Sequence, residues 1–344
     1  MELFPKYIKL DGHLVEVSEL LKQTTIKADW AKDWLEFLKE WYNSSDLIEV
    51  KTSGSTGKPK SIQLRKEFVA ASARRTLAFF ELEENDKVLH CLPSRFIAGR
   101  LMTVRALIGK LDLKIVNPAT DFKFLNEESF KFAAVVPNQM IKLLNPQLAT
   151  RNLQLVLIGG SSILKSLQEK LQYVPFQCYS SYGMTETATH IALRKINGTD
   201  ASDYYQCLDD IRVELLEDNC LHIHMPSMER SIKTNDIAKL KDNKTFKVLG
   251  RADHVIISGG IKYFPEEIEK KLEKSIKLPF YISSLPDDKL GQQIVIYVEA
   301  TETPQLLDLL KLILADNLSK YERPRQIIFE NEFNRTPTGK LIRT

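Results

Sequence analysis

Between Val88 and Gln172 the chain alternates short apolar runs with stretches of helical spacing, and that alternation constrains its fold more than any other feature. Val88–Leu92, Leu113–Asn117, Ala133–Val136 and Leu153–Ile158 read as strands, with helices at Ile97–Leu107, Asn138–Leu144 and Ser162–Gln172. Such a pattern builds an α/β domain with a largely parallel sheet, whose ligands gather at the carboxyl ends of the strands. After Gly183 the texture changes. Ile211–Glu217, Cys220–His224, Ile232–Asn235 and Thr245–Leu249 read as short antiparallel strands of a small β-subdomain. The last stretch has its own strands (Phe280–Ser284, Ile294–Glu299) and helices (Pro265–Ser275, Pro304–Leu318). At roughly 90 residues it is long enough for an independent α+β domain. A chain of 344 residues also exceeds what one core usually supports. We therefore expect a large N-terminal α/β domain with a small β-subdomain, a boundary near Asp253, and a small C-terminal α+β domain.

Upstream, Trp30, Trp34, Phe37, Leu38 and Trp41 recur at helical spacing, predicting an amphipathic helix over Asp29–Tyr42 whose tryptophans pack into a core. Leu47–Thr52 and Ser61–Leu64 read as two strands, with a helix from Lys66 to Phe80 behind them. The connection, Lys51 to Lys60, crowds hydroxyls, glycines and lysines into Lys-Thr-Ser-Gly-Ser-Thr-Gly-Lys-Pro-Lys. Glycine admits backbone N–H groups to an anion, and Ser and Thr add donors, so the composition suits a phosphate clamp. It equally suits a solvated turn. It is not a mononucleotide P-loop, because only two residues separate the glycines and Pro59 follows Lys58.

A net charge of +3 does not suggest a nucleic-acid partner, though it is compatible with small anions. No apolar run approaches the length of a membrane span, and Met1–Asp11 lacks the apolar region of a signal peptide, so a cytoplasmic location is expected. Cys91, Cys178, Cys207 and Cys220 show no paired spacing and read as reduced, buried thiols. His222 and His224 share one face of a strand. They fit either a metal chelate lacking a third ligand nearby in sequence or the polar face of a half-exposed strand.

Five stretches in order carry a resemblance: Thr52–Lys60; Ser181-Tyr182-Gly183-Met184-Thr185-Glu186-Thr187; Thr234-Asn235-Asp236; Gly250-Arg251-Ala252-Asp253-His254 running through Ser258-Gly259-Gly260 to Glu269; and Arg335-Thr336-Pro337-Thr338-Gly339-Lys340. From about residue 47 onward the sequence resembles the adenylate-forming superfamily of acyl-CoA synthetases, peptide-synthetase adenylation domains and firefly luciferase. The resemblance implies an AMP-forming ligase using ATP, Mg²⁺ and CoA, in which a carboxylate attacks the α-phosphate and a thiol captures the acyl-adenylate. It implies that Thr52, Ser53, Gly54, Ser55, Thr56, Gly57 and Lys60 hold the β- and γ-phosphates. Thr185 would touch the α-phosphate and Glu186 would hold Mg²⁺. Gly160, Ser161 and Tyr182 would line the adenine pocket, with Gly183 beside the substrate, and Asp236 and Arg251 would read the ribose hydroxyls. Lys340 would be the catalytic lysine. Residues 1–250 would form the ATP- and acyl-binding domain and 251–253 the hinge, with Asp253 as pivot. Residues 254–344 would form a mobile domain that carries Lys340 and brings Gly259 and Gly260 to CoA. Three departures stand out. Few residues precede the phosphate loop, implying a reduced N-terminal subdomain; Ser61 and Asn235 stand where the family carries glycine.

Pro93–Leu107 falls where the family lines its acyl pocket. Arg105 lies two helical turns beyond Ala98, either in that pocket or on the solvated side of the helix. An arginine in an acyl pocket is costly unless it meets an anion, and a second substrate carboxylate would supply one. That feature resembles the o-succinylbenzoate–CoA ligase subfamily of menaquinone biosynthesis. Two other readings remain: a ligase for another acid or a carrier-protein thiol, and a nucleotide-binding homologue without catalysis. Small-molecule partners (acid, ATP, CoA), no nucleic acid and no membrane insertion are expected.

Overall fold

The computed structural model describes residues 2–23, 28–51, 61–335 and 341–343. The chain divides into two compact units. The first comprises Met1–Ile163, Lys170–Ile211 and Met225–Arg230; the second comprises Leu164–Glu169, Arg212–His224 and Ser231–Thr344.

In the first unit the runs read as strands form strands and the stretches read as helices form helices, and further elements that the sequence reading lacks join them. Its strands are β1 (Tyr7–Leu10), β2 (His13–Glu16), β3 (Leu47–Lys51), β4 (Ser61–Arg65), β5 (Lys87–His90), β6 (Asp112–Ile115), β7 (Phe130–Val135), β8 (Leu153–Ile158), β9 (Gln177–Gly183), β10 (His190–Lys195) and β11 (Tyr205–Cys207). Its helices are α1 (Val17–Leu21), α2 (Asp29–Tyr42), α3 (Lys66–Phe79), α4 (Ile97–Gly109) and α5 (Pro137–Leu143). The sheet runs β11-β10-β9-β8-β7-β5-β6-β1-β2. From β9 through β1 every pair is parallel, whereas β10 and β2 run antiparallel to their neighbours. Interior strands such as β7 and β8 are buried nearly throughout, the burial expected of parallel strands covered on both faces. The tryptophan face of α2 is core, as its spacing predicts: Trp34 is 6% exposed and Trp41 fully buried. The indole N–H of Trp34 donates to the buried Thr103 hydroxyl on α4 at 3.1 Å.

Helix α4 is buried all round, with every residue from Leu101 to Ile108 out of solvent. It enters the core tightly at Gly99, where a Cβ would lie 2.3 Å from the Pro93 carbonyl oxygen, so only glycine fits. Arg100 ties the helix to the β3–β4 hairpin, donating from Nη1 to the Glu49 carbonyl at 2.6 Å and pairing with Glu40 at 3.0 Å.

α6 (Lys165–Leu171) leads into the second unit. Its first residues are held there by the Glu273 carboxylate, which accepts from the Lys165 N–H at 2.7 Å, and by the Lys274–Glu169 ion pair. The unit contains β12 (Arg212–Leu215), β13 (Cys220–Met225), β14 (Arg230–Leu240) and β15 (Thr245–Arg251) as neighbours in that order. A second sheet follows, formed by β16 (Ile256–Ser258), β17 (Ile261–Tyr263), β18 (Phe280–Asp287), β19 (Gly291–Glu299) and β20 (Gln326–Glu330). Helices α7 (Pro265–Leu272) and α8 (Pro304–Asn317) close its core, in which Ile268, Leu272, Ile296, Val298, Leu310 and Leu314 pack together.

Candidate functional site

The donor-rich loop connects β3 to β4, whose register closes on Lys51 opposite Ser61 at its two ends. Thr52, Ser53, Gly54, Ser55, Thr56, Gly57 and Lys60 themselves lie outside the described residues, and so does Lys340. Ser61, one of the departures from the family pattern, begins β4, and its hydroxyl donates to the Glu49 carboxylate. Strand β4 lies against the turn Thr185–Thr187, so the hairpin bearing the loop meets the turn bearing Thr185 and Glu186.

That turn is held by one hydroxyl. Thr187, 1% exposed, shares its single hydroxyl proton between the carbonyl oxygens of Met184 and Thr189 and accepts from the Met184 N–H at 2.9 Å. The knot leaves Thr185 and Glu186 half-buried on its outer side. Among the described residues Glu186 has no cation or hydrogen-bond partner. An uncommitted carboxylate suits a hard cation such as Mg²⁺. Gly183, at the end of β9, faces His190; a Cβ there would lie 2.1 Å from the Thr189 carbonyl oxygen. The adenine candidates stand on neighbouring strand ends. Gly160 follows β8 with φ +88°, Ser161 is exposed beside it, and the Tyr182 ring lies 5.7 Å from that of Tyr205. Gly159 is confined by the Ser181 hydroxyl, which itself donates to the Ile158 carbonyl at 3.2 Å. These are the carboxyl ends of parallel strands, where open α/β sheets place their ligands.

In the second unit Asp236 and Arg251 are register partners across β14 and β15, with Nη1 3.5 Å from Oδ1. Arg251 also grips Asp253 through two hydrogen bonds of 2.8 Å, a bidentate fork that holds the Asp253 carboxyl below its usual range. Asn235 is exposed, and its position needs no glycine: Thr234 anchors the strand by donating to the Leu221 carbonyl and accepting from the Asp236 N–H. Gly259 (φ +58°) and Gly260 (φ +79°) form the two-residue turn between β16 and β17, left-handed at both positions.

Arg105 is not on a solvated face. It is 2% exposed, and among the described residues its only hydrogen bond runs from Nη1 to the Met102 sulfur at 3.3 Å, while buried Nε has no partner. Of the other buried cations in this unit, Arg75 pairs with Asp210 at 3.1 Å, and Lys66, which has no acid partner among the described residues, donates to the backbone and side-chain oxygens of Asn43 at 2.9 Å each; half-buried Arg100 pairs with Glu40. Among the described residues no acid pairs with Arg105, and burial alone pushes its pKa down, to about 9. Beside it lie two histidines that sequence reasoning missed. His90 ends β5, shares a 2.9 Å hydrogen bond with Ser94, and leaves Nδ1 unsatisfied. His190 opens β10 and shares a 3.0 Å bond with Thr76. Burial first, then the Arg105 charge, holds both neutral: His90 falls to about 3 and His190 well below its ordinary value. No motif links these residues, because α3, α4, β5 and β10 each contribute one member.

The AMP-binding enzyme family matches residues 14–221, more than half of the chain. The chain belongs to the AMP-binding enzyme family. Within that family, a 2-succinylbenzoate–CoA ligase of Listeria monocytogenes is 28% identical over 337 residues, covering 90% of this chain and 71% of the ligase. An acyl-CoA synthetase (AMP-forming)/AMP-acid ligase II-like protein from Dyadobacter fermentans is 31% identical with a TM-score of 0.64, covering 95% of this chain and 96% of its own. O-succinylbenzoate coenzyme A synthetase from Bacillus subtilis, solved with ATP and a magnesium ion, shares the fold at a TM-score of 0.71 and 22% identity, with 86% of this chain and 68% of that one covered. Membership in this AMP-binding family agrees with the superfamily resemblance read from the motifs. Among the described residues, no helix is long and apolar enough to cross a membrane.

Proposed function

We propose that the protein is an AMP-forming acid–thiol ligase that activates a dicarboxylate, o-succinylbenzoate, as its acyl-adenylate and transfers the acyl group to CoA. The observation that carries this reading is the uncompensated guanidinium of Arg105. Leaving a buried cation without an anion is strongly destabilising, and an acid with a second carboxylate satisfies it when bound. A monocarboxylate does not. The 2-succinylbenzoate–CoA ligases among the relatives support the same choice of acid.

One carboxylate attacks the α-phosphorus and pyrophosphate leaves, so two anions meet and positive charge must be positioned between them. Thr52–Gly57 and Lys60 hold the departing phosphates, and the Thr185 hydroxyl donates to the α-phosphate. Glu186 offers its carboxylate to Mg²⁺, which when bound neutralises phosphate charge. Gly160, Ser161 and Tyr182 bound the adenine; Asp236 and Arg251 receive the ribose hydroxyls. Lys340 spans the attacking carboxylate and the α-phosphate. Asp253 is the pivot on which residues 254–344 exchange Lys340 for the Gly259–Gly260 turn at the CoA thiol. Gly183, which admits no side chain, sets the wall between the nucleotide and the acyl group. All these substrates are cytoplasmic small molecules, and we place the protein there.

The test is pyrophosphate release with ATP across a panel of mono- and dicarboxylic acids, repeated with CoA. We expect turnover with the aromatic dicarboxylate and thioester formation once CoA is added; equal turnover with its monocarboxylate analogue counts against the reading.

A further inference from the structure

We infer that Glu214, His222 and His224 form a divalent transition-metal site of zinc type on the β12–β13 hairpin. The sequence supplies a His-x-His pair; the structure adds the third ligand from the adjacent strand. Glu214 stands directly opposite His222 in the antiparallel register, and His224 lies two residues on, so all three project from one face. The alternate residues Leu221, Ile223 and Met225 face the core. The geometry is convergent. Glu214 Oε1 lies 2.9 Å from His222 Nδ1 and 2.9 Å from His224 Nε2, and the two rings are 4.1 Å apart. The three potential ligand atoms fall within 4.8 Å of one another.

A tetrahedral zinc ion with bonds near 2.0 Å separates its ligands by about 3.3 Å, so only small side-chain adjustments are needed to admit it. Side-chain exposure rises from 12% at His222 through 36% at His224 to 59% at Glu214, which leaves the outer side open for a water as fourth ligand. Each imidazole binds in its neutral form, keeping one N–H on the nitrogen away from the ion. Imidazole and carboxylate together suit zinc better than magnesium or calcium, which favour all-oxygen shells. Arg212, the register partner of His224, adds a positive charge on this face and sets an upper bound on affinity. Because β12 ends its run of strands, a bound ion would staple an edge strand to its neighbour. None of the three ligands belongs to the ATP or acyl site described above.

The probe is Zn²⁺ alone, titrated calorimetrically into the untagged full chain, with Co²⁺ absorption reporting coordination. We expect one equivalent of zinc and a rise in unfolding temperature on binding. Glu214→Gln, His222→Gln and His224→Gln should each weaken binding by more than the about tenfold typical of losing an outer hydrogen-bond partner. Arg212→Ala should tighten it. Glu214→Gln is the safest variant because its side chain is the most exposed; with metal absent it should unfold at the wild-type temperature and retain basal pyrophosphate release. No saturable binding to the wild type, or unchanged stoichiometry and affinity in all three ligand variants, overturns the assignment.

Discussion

Asp236 and Arg251 face each other across an antiparallel strand pair, and the register of β14 on β15 brings the two groups assigned to the ribose to within 3.5 Å. Backbone pairing fixes the spacing of a carboxylate acceptor and a guanidinium donor before any nucleotide arrives. Asp236→Asn keeps the shape and removes the charge. Losing hydrogen bonds to a charged acceptor should raise KM for ATP about ten- to hundredfold. The penalty for replacing ATP by 2′-deoxy-ATP should shrink in the variant. Steady-state kinetics with both nucleotides checks this, and an unaltered discrimination ratio removes Asp236 from the ribose.

Thr187 positions the turn without touching substrate in this scheme. Thr187→Val deletes the hydroxyl that knots Met184 to Thr189, while Thr187→Ser keeps it. We expect adenylation kcat to fall about tenfold or more in the first, the cost of one to two buried hydrogen bonds, and to recover in the second. Full kcat in Thr187→Val with a loss in Thr187→Ser would mean that the methyl group, not the hydroxyl, matters.

Acid sensitivity follows from His90 and His190. Both have folded pKa values below the ordinary 6.5, with His90 near 3. The unfolded chain therefore binds protons that the folded chain refuses. Their contribution is fully present above pH 6.5 and is lost as pH falls below it, at up to about 1.4 kcal/mol per pH unit for each histidine. Urea midpoints between pH 7.5 and 5 should drop steeply, and less so in a His190→Gln variant that retains the Thr76 bond. A parallel slope in that variant would remove His190 from the linkage.

In the proposed scheme Lys340 separates the two half-reactions. Lys340→Ala should abolish acyl-adenylate formation while leaving thioester formation from supplied adenylate largely intact. Equal loss of both in single-turnover assays would contradict the domain exchange about Asp253.

Much of this was legible in the sequence, for reasons that differ by element. Strands β7 and β8 showed because buried parallel strands are nearly continuous apolar runs, and α2 because its tryptophans repeat at helical spacing. The β1–β2 hairpin was not read, although Asp11 and Gly12 both adopt the left-handed turn conformation, since its strands are short and largely exposed. Motifs named Thr185, Glu186, Asp236 and Arg251 because their chemistry is carried by contiguous residue types. What eluded them depends on partners far away in sequence. The missing acid beside Arg105, the neutral histidines around it, and Glu214 opposite His222 exist only once strands have paired and helices have packed.

The charge of Arg105 decides which acid the proposed pocket takes. Replacing it with Met keeps side-chain length and removes an unpaired buried cation, so the folded state should be unharmed or stabilised by about 1–4 kcal/mol. The deciding measurement is kcat/KM for pyrophosphate release by Arg105→Met with the aromatic dicarboxylate and with its monocarboxylate analogue. We predict a loss of about two orders of magnitude for the dicarboxylate, as for truncation of a buried charge pair, with the monocarboxylate and KM for ATP unchanged. An equal effect on both acids, or none on either, would contradict the assignment of Arg105 to the second carboxylate.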